Sequence, residues 1–241
     1  MKLFFFVVFI LFGIGSGVSA KTIIVEATDG FQLSAKYHAV NNSKASVLLF
    51  HQCNRDQRMW KPLVEKLIEN NMDAFTADFR GYNESKNVDF NTDTDENYLK
   101  SNNHIKSDSR HIFNKWIELT QHAKNRIIIG ASCGGGQATA LAANNNDIDA
   151  LILFSPSLRE YWFDNENWAK IYQRKNLPVL GIASVGDKNA LGAVEKITNN
   201  STASYTELKR YNGKLHGEPL FKHDPILADK MVVWIKQLLA L

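Results

Sequence analysis

One serine is the first candidate for chemistry in this chain. The apolar run Ile127-Ile128-Ile129 leads into Gly130-Ala131-Ser132-Cys133-Gly134, and two more glycines follow. A strand, then G-x-S-x-G, then a run able to start a helix is the pattern that holds a serine on a sharp turn with its hydroxyl exposed. Glycines two places before and after the serine suit a turn too tight for side chains. A serine hydroxyl is a weak nucleophile until a base takes its proton and a third group orients that base. Asp187 is the candidate acid: it follows the apolar stretch 178–184 through Val185-Gly186, a position that also suits a helix N-cap. His216 is the candidate base, in a glycine-flanked loop, Gly213 to Gly217, between the last predicted strand and the last predicted helix. The histidines at 38, 51, 104, 111, 122 and 223 lack that combination of chain order and loop position.

The rest of the chain reads as the scaffold for these groups. Thr22–Ala27 and Phe31–Ala39 flank the turn dipeptide Asp29-Gly30 and predict an antiparallel hairpin. Strands are expected at 46–50, 73–78, 126–130, 149–154, 178–184 and 203–210. Helices are expected at 61–69, 107–121, 132–144, about 165–174, 189–198 and 224–240. In the second of these helices Ile112, Trp116 and Leu119 form an apolar stripe widened by Phe113 and Ile117. Strands alternating with helices predict a mostly parallel eight-stranded sheet with helices on both faces and the hairpin at its N-terminal edge. The Asn- and Asp-rich stretch 86–103 reads as a solvated loop, too sparse in acidic spacing for a calcium loop.

Composition narrows the function classes. A net charge of +3 over 241 residues, without a basic cluster, argues against nucleic acid or an anionic membrane as partner. Met1-Lys2, the apolar stretch 3–14 and the ending Val18-Ser19-Ala20 read as a secretory signal cleaved after Ala20. That apolar stretch is too short to span a bilayer, so no stable membrane anchor is expected. Residues 21–241 then form a single domain in a secreted or periplasmic protein. No zinc or EF-hand spacing is visible, and no metal or cofactor is implied. Oligomeric state is not legible.

Together these residues resemble the α/β-hydrolases, and more closely their small, cap-poor members of the dienelactone hydrolase type; the resemblance covers nearly all of residues 21–241. His51-Gln52-Cys53 resembles the family's His-Gly-x segment, whose third residue donates to the oxyanion, and Asp78-Phe79-Arg80-Gly81, with Ser85 beyond, resembles a structural turn of the family. Two departures stand out. Gln52 replaces the usual glycine, and dienelactone hydrolases carry cysteine at the elbow, where this chain has Ser132. A one-residue shift would make Cys133 the nucleophile instead.

The resemblance implies an open α/β-hydrolase fold with a minimal cap. It implies a serine hydrolase, expected to be a carboxylesterase of small-molecule esters working through Ser132, His216 and Asp187. The N–H groups of Cys53 and Cys133 are implied as the oxyanion donors. These cysteines are the only two in the chain; if the mapping holds they face one oxyanion, either joined as a disulfide or as two buried thiols. Peptidase or amidase activity, a dienelactone-type reaction through Cys133, and a non-catalytic binding protein on the same scaffold are the alternatives. The aromatics Tyr161, Trp162, Phe163, Trp168 and Tyr172 sit where relatives insert a cap and suit either core packing or a substrate groove.

Overall fold

The computed structural model describes residues 20–240. The leader expected over residues 1–20 lies, apart from Ala20, outside the described residues.

Five short apolar runs form the centre of the sheet: β3 (Ser46–Phe50), β4 (Asp73–Ala77), β5 (Arg126–Ala131), β6 (Ala150–Phe154) and β7 (Val179–Ser184). They are buried almost throughout, as strands covered on both faces must be. β1 (Lys21–Glu26) and β2 (Gln32–His38) are the expected hairpin, in register from Lys21 opposite Tyr37 to Glu26 opposite Gln32. With β8 (Glu207–Tyr211) at the far edge the eight strands run β1-β2-β4-β3-β5-β6-β7-β8. β2 meets β4 antiparallel and every later pairing is parallel. The C-terminal ends of β3 to β8 therefore open onto one rim, and all three candidate residues lie just beyond it.

Side chains alternate along each strand and feed two cores. Leu48, Phe50, Ile128, Leu151 and Leu153 pack under α3 (Ile105–Leu119), α4 (Cys133–Asn144), α5 (Glu166–Gln173) and α6 (Lys188–Asn200). Val47, Leu49, Ile127, Ile129 and Ile152 pack under α1 (Lys61–Glu69) and α8 (Leu227–Leu239). Among the described residues no helix is long and apolar enough to cross a membrane.

Three expectations need correction. The stretch read as a solvated loop contains α2 (Asp95–Asn102). Thr94 caps it, its hydroxyl accepting from the Asn97 N–H at 3.2 Å, and Asp95 and Glu96 suit the positive end of its dipole. Its polar composition hid it, because capping rather than an apolar stripe defines it. The last strand begins at Glu207, not 203, because the Thr206 N–H closes a turn onto the Ala203 carbonyl. The final helix begins at Leu227, not 224, and a short α7 (Pro219–His223) that was not expected precedes it, stopping at Asp224, which is extended ahead of Pro225.

Arg80 fastens the N-terminal hairpin to the body. Its side chain is buried, donates to both carboxylate oxygens of the buried Asp108 on α3 at 2.9 and 3.0 Å, and pairs with Asp29 of the hairpin turn. Phe31 and Phe90, edge to face with each other at 5.3 Å, lie 4.3 and 4.7 Å from the guanidinium carbon. The guanidinium holds the Asp29 carboxyl well below the usual carboxylate range. Removing one partner of a buried pair strands the other charge, which costs about 3–5 kcal/mol. Arg80→Met is expected to lower unfolding free energy by that amount in a urea titration. A loss under about 1 kcal/mol would mean that the clasp is not an anchor of the fold.

Candidate active site

The turn after β5 places Ser132 at φ 49°, ψ −119°, in the left-handed half of the backbone map. Such a conformation costs a non-glycine residue on the order of 1–3 kcal/mol and persists only where surroundings impose it. Here they do. The Ser132 N–H donates to the Phe154 carbonyl at 3.2 Å, and its carbonyl accepts from Ser157 at 2.8 Å and Gly136 at 3.2 Å. Gly134 brings the first turn of α4 against the loop after β3: a Cβ there would stand 2.5 Å from the His51 oxygen.

Asp187 and His216 meet beside this turn. His216 Nδ1 lies 2.6 Å from Asp187 Oδ2. Asp187 also caps α6, accepting from the Ala190 N–H at 3.5 Å, so both roles suggested by its position coincide in one carboxylate. Ser132, Asp187, His216, Cys53 and Cys133 all line one cleft of about 810 Å³, with Tyr98, Trp162 and Trp168 among its walls. That volume is in the range of small-molecule sites. His216 is thus hydrogen-bonded to a carboxylate and shares a cleft with the partly buried Ser132, whose hydroxyl makes no protein hydrogen bond among the described residues.

Cys53 and Cys133 form a disulfide, with Cα atoms 5.9 Å apart and 80 positions of sequence between them. It ties the loop after β3 to the residue after Ser132. Among the described residues neither cysteine N–H has a protein acceptor. With its sulfur bonded to Cys53, Cys133 has no free thiolate for attack, which removes the basis for the one-residue-shifted elbow.

Gln52 acquires a role that the sequence did not suggest. Its amide oxygen accepts from the Glu218 N–H at 2.8 Å and its amide nitrogen donates to Asn54 Oδ1 at 2.5 Å. Gly217 makes room at φ 65°, where a Cβ would fall 1.9 Å from the Gln52 oxygen. An Arg55–Glu218 ion pair adds a second tie, so the loop after β3 and the loop carrying His216 are joined. His51, wholly buried, is held between the Gln52 carbonyl on Nδ1 at 2.9 Å and the Phe79 N–H, which donates to Nε2 at 2.9 Å. Accepting at Nε2 requires the neutral ring, and burial pushes its pKa down.

The aromatic segment divides between the two roles expected for it. Phe163 is core, whereas Trp162 and Trp168 pack against the core and also line the cleft. Tyr98, in the helix missed from sequence, is the wall residue for which periodicity gave no signal.

The comparisons agree with this architecture. Solved structures with the same fold include esterase Pf2001 of Pyrococcus furiosus, with TM-score 0.68 and 14% identity over 91% of this chain and 93% of that one. A soluble variant of monoglyceride lipase from Saccharomyces cerevisiae, in complex with a substrate analog, has TM-score 0.66 and 17% identity over 91% and 94%. DcsB, in complex with its substrate analogue, has TM-score 0.70 and 13% identity over 91% and 99%. No curated protein matches the sequence. The protein is an α/β-hydrolase and an enzyme of that class. It belongs to the Hydrolase_4 family, described as serine aminopeptidase, S33, which matches residues 41–190. The dienelactone hydrolase type in particular is not singled out by that match.

Two outcomes follow from the loop ties. The double variant Cys53→Ala/Cys133→Ala is expected to lose about 2–4 kcal/mol of stability, since the bond closes a long loop. Alkylation of the denatured, unreduced wild type should find no free thiol; two reactive thiols would contradict the bond. The second outcome concerns pH. An unfolded histidine takes up a proton near pH 6.5 whereas buried His51 resists it, so below that pH the unfolded state binds more protons. Stability therefore falls as pH drops below about 6.5, by up to about 1.4 kcal/mol per unit for this residue. His38, half-buried, acts in the same direction. Urea midpoints at about pH 7.5 and about pH 5 should differ less in His51→Gln than in wild type, and an unchanged difference would exclude His51 as a source.

Proposed function

We propose that the protein is a carboxylesterase that cleaves small-molecule esters through a Ser132–His216–Asp187 triad. The observation that carries this reading is the placement of a backbone-strained serine and a histidine bonded to a carboxylate in one cleft. In the first step Ser132 Oγ attacks the acyl carbon while His216 takes its proton at Nε2. Asp187, accepting at Nδ1–H, fixes the ring and balances the imidazolium that forms. The tetrahedral oxyanion is stabilised by the unengaged N–H groups of Cys53 and Cys133, preorganised by the disulfide. His216 then protonates the leaving alcohol, leaving an acyl-serine. Water, deprotonated by His216, attacks the acyl carbon, and collapse of the second intermediate releases the acid and restores Ser132.

The disulfide supports a further part of the reading: export, by the leader at residues 1–20, to an oxidising compartment such as the periplasm or the exterior. A non-catalytic role is disfavoured by Gln52. The residue that departs from the usual glycine holds the loops of the site together rather than disrupting them.

A fluorophosphonate probe is expected to give one adduct, mapped by peptide mass to Ser132, and none on Ser132→Ala. Ser132→Ala should also lose at least about a thousandfold in kcat on a chromogenic butyrate ester with little change in KM. A folded wild type that neither reacts with the probe nor turns over esters would overturn the hydrolase assignment.

A further inference from the structure

Three cations line the cleft, Arg159, Lys188 and Lys196, and none of the three has a carboxylate partner among the described residues. The single acidic residue of the lining, Asp187, is engaged with His216. Of the acids outside the lining, Asp164 pairs with Lys106, Glu195 with Arg210 and Glu218 with Arg55; Glu160, beside Arg159 in sequence, has no ion-pair partner among the described residues but does not line the cleft. The unpaired charge of the cleft lining is therefore positive.

Its arrangement follows from α6. Lys188, Gly192 and Lys196 recur at i, i+4 and i+8 and so fall on one helix face, which is the face lining the cleft. A Cβ at Gly192 would meet no atom within 4 Å, so the space between the two lysines is open. Lys196 lies over the Trp168 ring, its Nζ 5.6 Å from the ring centre, which places an aromatic wall beside the charge. Helix stability does not account for this pattern. Lys188 sits in the first turn, where a cation opposes the helix dipole, and no acidic residue follows there to offset it. Unpaired cations, an open gap between them and a nucleophile in the same cleft call for an anionic ligand.

We propose that the substrate is an ester that itself carries a carboxylate, held by Lys188, Lys196 and Arg159 while its ester carbonyl reaches Ser132. This rests on the hydrolase reading for turnover but not for binding. The test uses two matched pairs, because the charge can lie on either side of the scissile bond. One pair is the 7-hydroxycoumarin monoester of adipate against the hexanoate. The other is 4-butyryloxybenzoate against 4-butyryloxybenzamide. The charged member of at least one pair is expected to have kcat/KM about five- to tenfold above its neutral partner. That preference should shrink as NaCl is raised and fall to near unity in Arg159→Gln/Lys188→Gln/Lys196→Gln. Lys44→Gln/Lys124→Gln, at the opposite end of the sheet, should retain it.

Calorimetry on Ser132→Ala reads the same preference as binding, without turnover. Turnover with equal or lower kcat/KM for both charged esters would overturn the anion site and leave the hydrolase reading intact. Preferential binding of a charged ester by Ser132→Ala, with no turnover by wild type, would support the anion site and overturn the hydrolase reading instead. A preference undiminished in the triple glutamine variant would also overturn the assignment of these residues.

Discussion

The structure of the site depends on how closely the start of α4 approaches the loop after β3. Gly134 permits the backbones to touch, the Cys53–Cys133 bond holds them covalently, and Gln52 carries the contact on to the loop of His216. Three chain segments distant in sequence thus share one set of constraints, and each bears a different part of the proposed chemistry. A disulfide at this place does more than restrict the unfolded chain, since it joins the two residues assigned to the oxyanion. Preorganised donors are effective because they need no rearrangement as charge develops. A covalent tie between them serves that need where, among the described residues, no large cap covers the cleft.

Behind the site a second layer repeats this economy. His51 follows β3 and reaches the Phe79 N–H, while the neighbouring Asp78 accepts from the Gln57 backbone and side chain and from Asn83. Arg80, two residues on from Asp78, holds the hairpin and α3. The turn at 78–81 is thus a junction where the loop after β3, the N-terminal hairpin and the helix before the elbow are fixed to one another. Asn83 takes the second glycine position of that turn at φ 41°, a conformation its short polar side chain tolerates.

Much of this was legible in the sequence where a local rule governs it. Buried parallel strands appear as continuous apolar runs, and the elbow announces itself because glycine must flank a tight turn. Ser132, Asp187 and His216 could be named from chain order and loop position. What could not be read shares one property: it depends on long-range contact between polar groups. α2 is defined by a Thr94 cap and by burial of Ser101 and Asn102, none of which leaves an apolar period. Gln52 looked like a defect because its partner lies 166 positions away at Glu218. The cationic face of α6 is an ordinary pair of lysines in sequence and acquires meaning only from what shares its cleft.

Several departures from local stability rules lie along the same rim of the sheet. Among the described residues Ser132 and Ser155 are the only positive-φ positions that are neither glycine nor asparagine, and they follow the adjacent strands β5 and β6. The hydroxyls of Ser155 and Ser184, at the ends of β6 and β7, are buried without a hydrogen-bond partner. Asp187 gives its carboxylate to His216 at 2.6 Å and only a long 3.5 Å contact to the helix that it caps, and Lys188 then opposes that helix's dipole. Each of these features works against folding stability, by about 1 kcal/mol or more in the case of strained backbone. The opposite rim of the sheet, at the N-terminal ends of the parallel strands, holds both kinds of feature: Asp73 there accepts from Tyr37, Val40 and His122, while Arg126 Nε is buried without a hydrogen-bond partner. Conflict between local preference and observed structure is expected where function rather than folding selects the residue. At the rim that carries Ser132 the conflict falls on the backbone of the serine itself and on the carboxylate that holds His216, the two groups to which the proposed chemistry assigns work.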